Sequence, residues 1–281
     1  MKNIECVPNF SEGRCEETLA AIAHAAAVPG VTLRDIHRDA DHNRSVFTLT
    51  GEAAAVAEAA FRMAEVAAQR INLRTQRGQH PRIGATDVVP FVPLAGAEMA
   101  DAVRLAREVG QRLADQLHIP VFLYEAAATR PECENLADVR KNAAVLTPDF
   151  GPSTAHPTAG CTAVGARKPL IAFNMLLNTP DVAVAKKIAR AVRFSDGGLP
   201  YCKALGLFLA DRNLAQVSMN LTDYEQTPLA TVYEAVCEAA QTHGARVVES
   251  ELVGLAPEAA LLDCAARFLQ LKGLGPGQVL R

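Results

Sequence analysis

The sequence predicts an α+β protein of two subdomains, each a mixed or antiparallel β-sheet covered by helices in βαββαβ order, the ferredoxin-like unit. Three observations predict it. Amphipathic helical stripes alternate with short apolar runs. That alternation runs through the same order twice. At 281 residues with 49% hydrophobic content, the chain is long enough to bury one large core or two smaller ones.

The first round reads as a strand near 3–7, a helix near 14–27, strands near 31–37 and 44–50, a helix near 52–70 and a strand near 84–92. In the 52–70 helix Val56, Met63, Ala67 and Ile71 form an apolar stripe, while Glu58, Arg62, Glu65 and Gln69 fall on another side, as expected of a helix lying on a sheet. Glu58 and Arg62 also make a favourable i,i+4 pair. A helix near 98–117 and a strand near 120–124 enlarge this sheet, with Pro120 suited to the start of an edge strand. The second round opens on the apolar run Pro169-Leu170-Ile171-Ala172-Phe173-Asn174. A helix near 181–193, strands near 203–209 and 214–221, a helix near 229–242, a strand near 246–251 and a final helix near 257–271 follow. The halves share negligible sequence identity, so their kinship is architectural. The division is placed at Asn178-Thr179-Pro180, giving subdomains 1–178 and 179–281, and a groove between them is the expected ligand site.

Two stretches resist this reading. Residues 126–160 mix a short helix, Glu132 to Lys141, with a segment rich in Gly, Pro, Ser and Thr that is either a linker or a ligand-gripping loop. Ser195-Asp196-Gly197-Gly198-Leu199-Pro200 reads as a helix stop and turn.

Composition excludes several function classes. A formal net charge of −3 and a pI near 6.2, without a long basic run, argue against nucleic-acid binding. The N-terminus Met1-Lys2-Asn3-Ile4-Glu5 lacks an apolar signal segment, and no apolar stretch approaches the roughly 20 residues of a membrane span. A cytoplasmic protein without a membrane partner is expected. The seven cysteines are scattered, odd in number and free of Cys-x-x-Cys pairs, so neither a zinc site nor a disulfide framework is read. His37, Asp39, Asp41 and His42 are close in sequence but match no metal-ligand spacing and read as a polar loop. No metal is expected.

The segment with most chemical content is Arg77-Gly78-Gln79-His80-Pro81-Arg82-Ile83-Gly84-Ala85-Thr86-Asp87-Val88-Val89-Pro90-Phe91. Gly78 permits an unusual backbone angle or a close approach to a ligand, and Pro81 pushes His80 toward extended geometry. An imidazole with an ordinary pKa of roughly 6.5 can exchange a proton near neutrality, as general acid–base catalysis requires. The same residues also fit a histidine satisfied at a strand entrance.

Together with Glu5-Cys6-Val7-Pro8-Asn9-Phe10-Ser11-Glu12-Gly13, this segment resembles the formiminotransferase domain of glutamate formiminotransferases. Asp149-Phe150-Gly151-Pro152-Ser153, Gly165-Ala166-Arg167-Lys168, Asn213-Leu214-Ala215-Gln216-Val217-Ser218 and Leu252-Val253-Gly254-Leu255 follow in the family's order, so the resemblance spans nearly the whole chain. It implies a catalytic base at His80. It also implies a folate-contacting loop at Gly151-Pro152-Ser153-Thr154-Ala155-His156-Pro157-Thr158-Ala159-Gly160, tetrahydrofolate as co-substrate, paired subdomains and a homodimer. Both substrates carry carboxylates, and Arg82, Arg44, Arg167 and Lys168 are the candidates to pair them, each of which also fits a solvated surface charge.

The implied reaction moves a formimino group from N-formimino-L-glutamate to N5 of tetrahydrofolate, in histidine degradation. At 281 residues the chain leaves no room for the cyclodeaminase fused to vertebrate members, so ammonia release is expected to fall to another protein. Two other readings stay open: formyl transfer between 5-formyltetrahydrofolate and glutamate, and a non-catalytic folate or amino-acid sensor.

Overall fold

The computed structural model describes residues 2–40, 42–78, 81–209 and 212–280. They form two compact units, Met1–Lys168 and Pro169–Arg281. This division lies ten residues before the one placed from sequence at 178/179. The apolar strand Ile171–Leu177 pairs with two strands of the second unit and belongs to its core.

In the first unit the chain runs β1 (Asn3–Cys6), β2 (Asn9–Phe10), α1 (Glu16–Ala25), β3 (Val31–Asp39), β4 (Arg44–Glu52), α2 (Ala53–Arg70), β5 (Thr86–Pro93), α3 (Met99–Leu117), β6 (Val121–Glu125), α4 (Leu136–Asn142) and β7 (Thr162–Ala166). Across the sheet the order is β3, β4, then β1 and β2, then β5, β7 and β6. Both β1 and β2 lie antiparallel between β4 and β5, so they are two pieces of one strand. The break falls at Val7-Pro8, and Pro8 has no N–H to give the ladder. Pairing of β5 with β7 and of β7 with β6 is parallel, which makes the sheet mixed. Parallel neighbours need a long crossover rather than a hairpin. The stretch 126–161 is that crossover, and it carries α4 and the Gly/Pro-rich loop.

Alternation along the strands splits this sheet into two faces. Ile4, Cys6, Phe47, Leu49, Val89, Phe91, Leu123 and Val164 are buried against α1, α2 and α3. The α2 stripe read from sequence faces this core, with Val56, Met63, Ala67 and Ile71 buried and Glu58 ion-paired to Arg62 at 2.6 Å. On the opposite face α4 packs Val139 over Val88, Phe122, Tyr124 and Ala163.

In the second unit β8 (Ile171–Leu177), α5 (Val182–Val192), β9 (Cys202–Leu209), β10 (Leu214–Leu221), α6 (Leu229–Thr242) and β11 (Val247–Val253) follow in βαββαβ order, then α7 (Glu258–Leu269). Its antiparallel sheet runs β11, β8, β10, β9. The inward faces of β8 and β10 close a core with Ile188 and Val192 of α5 and Val232 and Val236 of α6. After α5 a short 3₁₀ turn, Phe194–Asp196, ends at Gly197 with φ +89°, a left-handed stop that suits glycine. Among the described residues no helix is long and apolar enough to cross a membrane.

Candidate functional site

Three parts of the first unit converge beside the start of β4 and β5: the 9–15 stretch that begins with β2, the β3–β4 turn, and residues 72–78 and 81–87 between α2 and the start of β5. Polar side chains lace them together. Asn43, buried at φ +47°, accepts from the Gly13 N–H through Oδ1 at 2.9 Å and donates from Nδ2 to Gln76 Oε1 and the Arg77 carbonyl, each at 3.0 Å. Gln76 in turn donates to the Ser11 carbonyl at 2.6 Å and to Glu12 Oε2 at 2.9 Å. Glu12 Oε1 accepts the N–H groups of Arg14 and Cys15 at 2.8 and 2.9 Å, tying down the entrance to α1. The Ser11 hydroxyl closes the ring on the Gly84 carbonyl at 2.7 Å.

His80 and Gln79 lie outside the described residues, while the chain on either side of them is fixed. A Cβ at Gly78 would sit 2.1 Å from the His42 carbonyl oxygen and 2.2 Å from Arg82 Nη2. The close approach that this glycine permits is therefore to the β3–β4 turn, not to open space. The Arg82 guanidinium donates to the carbonyls of His42 and Asn43 at 2.6 and 3.2 Å, so it braces the same turn.

Asp87 is the centre of charge. Asn9 pairs with Val88 and Phe10 with Thr86, which leaves Asp87 as the extra residue of a β-bulge. A bulge re-aims a side chain. Here it turns a carboxylate with no solvent exposure toward Arg44 of β4 and Arg140 of α4, both bonded to Oδ2 at 2.7 Å. Oδ1 accepts the Ile83 N–H at 2.8 Å. Burial alone would raise the Asp87 pKa, but the two guanidiniums and the Ile83 N–H hold it below the ordinary carboxylate value. The Arg44 side chain is 12% exposed, and its other terminal nitrogen donates to Asn9 Oδ1 at 2.8 Å. Burial lowers the Arg44 pKa, with Asp87 opposing the shift. Asp87, Arg140, Asn9, Asn43 and Gln76 escape the sequence reading as site residues. A lone Asp in an otherwise apolar strand was a visible signal for Asp87, whereas nothing local marks Arg140.

The Gly151–Gly160 loop meets the same region. His156 and Gly160 exchange backbone hydrogen bonds at 2.9 and 3.0 Å, and this short hairpin docks on Leu73, Arg74 and Ala85. Leu73 N–H donates to the Thr158 carbonyl, Arg74 Nε to the Pro157 carbonyl and Ala85 N–H to the Ala159 carbonyl, at 2.8 to 2.9 Å. Gly160 is required here by both its φ of +71° and the 2.2 Å that would separate its Cβ from the Ile83 carbonyl oxygen. His156 Nδ1 accepts the N–H groups of Ala159 and Thr158 at 3.0 and 3.3 Å, which puts its proton on Nε2 and gives it a structural task. Pro152, Ser153, Thr154 and Ala155 are exposed, and among the described residues neither the Ser153 nor the Thr154 hydroxyl has a protein partner.

Arg167 and Lys168 close the unit after β7. Arg167 is half-buried and donates to the Lys168 carbonyl at 3.0 Å, while Lys168 is exposed. Glu5, on the sheet face away from Ile4 and Cys6, has its pKa raised by burial and pulled back by Arg167. Tyr124 lies on that face against Gly165, where any Cβ would strike its ring at 2.5 Å, and burial pushes its hydroxyl pKa up, with Arg167 and Arg140 opposing the shift. The structure thus brings Arg44, Arg82, Arg167 and the 156–160 hairpin onto one unit, with two of those arginines already engaged by protein groups.

Among the described residues no group of three or more His, Cys, Asp or Glu side chains could hold a metal. His42 donates its N–H to Asp39 Oδ1 at 2.8 Å in the turn read as a polar loop, and Asp41 lies outside the described residues. Cys6, Cys133, Cys161 and Cys202 are buried thiols.

Residues 3–167 match the family model described as the formiminotransferase domain, N-terminal subdomain, and residues 172–275 match the formiminotransferase domain. The chain is similar to a glutamate formimidoyltransferase of Streptococcus pyogenes serotype M1, 46% identical over 96% of this chain and 94% of the relative. A glutamate formimidoyltransferase of Thermoplasma acidophilum is also 46% identical, over 100% of this chain and 96% of its own length. The formimidoyltransferase-cyclodeaminase of Rattus norvegicus is 44% identical over 94% of this chain, which spans 52% of that longer protein.

Proposed function

The chain belongs to the formiminotransferase-domain family, and from that premise we infer that it transfers the formimino group of N-formimino-L-glutamate to N5 of tetrahydrofolate, releasing L-glutamate. The observation that carries this reading is the 46% identity, over nearly the full length of both partners, to two proteins named as glutamate formimidoyltransferases.

The chemistry asks for attack by the folate N5 lone pair on the amidine carbon, a tetrahedral intermediate, and departure of the glutamate nitrogen with a proton. His80 is proposed as the base that takes the N5 proton. What supports it is the Gly-x-His-Pro-Arg motif and the fixing of its neighbours, with Gly78 wedged on the β3–β4 turn and Ile83 bonded to Asp87. No covalent enzyme intermediate is required, because holding two substrates in line supplies much of the acceleration. Tetrahydrofolate is a co-substrate, proposed to lie along Gly151–Gly160, where exposed hydroxyls and backbone groups are available beside Leu73, Arg74 and Ala85. Arg82 and Arg44 act on the substrates through the frame they brace, and Arg167 and Lys168 offer charge to carboxylates. The family reading extends to a cytoplasmic homodimer, which cell fractionation and light scattering test.

A paired assay of purified protein tests the reaction. Tetrahydrofolate plus formiminoglutamate is expected to turn over, and 5-formyltetrahydrofolate plus glutamate to stay silent; turnover confined to the second pair would replace formimino transfer by formyl transfer. His80→Ala is expected to abolish turnover while folate still binds. A wild-type rate that stays flat from about pH 5.5 to 8 would remove His80 from the role of base.

A further inference from the structure

The Asp87 cluster holds two guanidiniums on one carboxylate and so carries one positive charge in excess, largely withdrawn from water. Its two cations differ in what they have left to give. Arg44 has both terminal nitrogens committed, one to Asp87 and one to Asn9. Arg140, with a side chain 17% exposed, reaches Asp87 through Nη2 alone. Its Nε is buried without a hydrogen-bond partner, and among the described residues its Nη1 also has none. A partly exposed guanidinium whose terminal nitrogen keeps spare donors, in a cluster with excess positive charge, can pair with a carboxylate.

We propose that Arg140 is a substrate-carboxylate anchor, held in place by Asp87, and that an incoming carboxylate supplies the missing partner of its Nη1 donor. This rests on the transferase reading, in which the donor is a dicarboxylic amino acid and the acceptor ends in a glutamate tail. The anchor belongs to whichever of the two responds. It also accounts for α4, a two-turn helix inside a crossover, as the element that delivers one cation to the sheet face.

The test uses the full chain with Arg140→Met and Arg140→Lys. The charge-free variant is expected to raise KM for one substrate by roughly 10- to 100-fold with a smaller change in kcat, and lysine to restore only part of it. A rise for formiminoglutamate assigns the anchor to the donor; a rise for tetrahydrofolate that is absent with tetrahydropteroate, which lacks the glutamate tail, assigns it to the acceptor. Both KM values unchanged, whether or not the variant is less stable, overturns the proposal. Calorimetric titration of wild type and Arg140→Met with L-glutamate and with tetrahydrofolate reads the anchor even if turnover is silent. Silence in wild type would sink the transferase reading, whereas equal affinities in both proteins for both ligands would sink Arg140.

Discussion

Replacing Asp87 by Asn should destabilise the first unit strongly while leaving its volume almost unchanged. The Ile83 N–H keeps an acceptor, since the amide oxygen can occupy the Oδ1 position. What is lost is the charge between two cations. Both guanidinium nitrogens lie 2.7 Å from Oδ2, so they are at most twice that distance apart. At an effective dielectric of about 20, two unit charges at that separation repel by about 3 kcal/mol. This agrees with the roughly 3–5 kcal/mol for breaking a buried ion pair from one side. For a unit of this size each kcal/mol moves the midpoint by about 2–4 °C, so a fall of roughly 6–20 °C is expected. Hydrogen exchange at the β5 amides of Val89 and Phe91 reads opening of this unit by itself. The sign with pH follows from the depressed Asp87 pKa. Its stabilisation is fully present above the unfolded value of about 3.9 and is lost as pH falls through the lower folded value. The gap between wild type and Asp87→Asn should therefore be widest at neutrality and narrow below about pH 4. A neutral-pH difference under about 1 kcal/mol would refute the account of a charge held by two buried arginines.

Three further outcomes are expected. Gly160→Ala should undock the 156–160 hairpin, because its φ of +71° and the 2.2 Å approach to the Ile83 carbonyl leave no room for a methyl group; weaker tetrahydrofolate binding by calorimetry is expected, and unchanged affinity would count against that loop as the folate contact. Asn43→Ala removes a left-handed residue and three hydrogen bonds at once, a loss of about 2–4 kcal/mol by urea unfolding, and a loss below half a kcal/mol would show that the turn is held by other groups. At pH 8 a thiol reagent should label exposed Cys15 well before Cys6 or Cys202, whose thiols burial pushes up, Cys202 to about 11; equal rates by mass spectrometry would contradict their placement in the cores.

The α+β class, the repeated βαββαβ order and the helix faces were legible in the chain because they rest on local periodicity. The stripe Val56, Met63, Ala67 points inward for the reason its spacing implies, and the second sheet is built from the strands its apolar runs mark. Strand β7 was not legible: Thr162-Ala163-Val164-Gly165-Ala166 has weak strand propensity, and it exists because β5 and β6 flank it. The division between units was displaced for a related reason, since pairing with β10 and β11, not composition, assigns Ile171–Leu177.

The motifs named segments without saying what their side chains do. Sequence by itself offered Arg44 and Arg82 as candidates to pair substrate carboxylates. Only the fold commits Arg44 to Asp87 and Asn9 and Arg82 to the carbonyls of His42 and Asn43, leaving Arg140, 53 residues along the chain from Asp87, with donors to spare. Periodicity records which face a residue takes because neighbouring residues set it. Which charges meet in the interior is decided by a bulge, a crossover and the cost of burying an unpaired charge, and those act between residues that sequence does not place side by side.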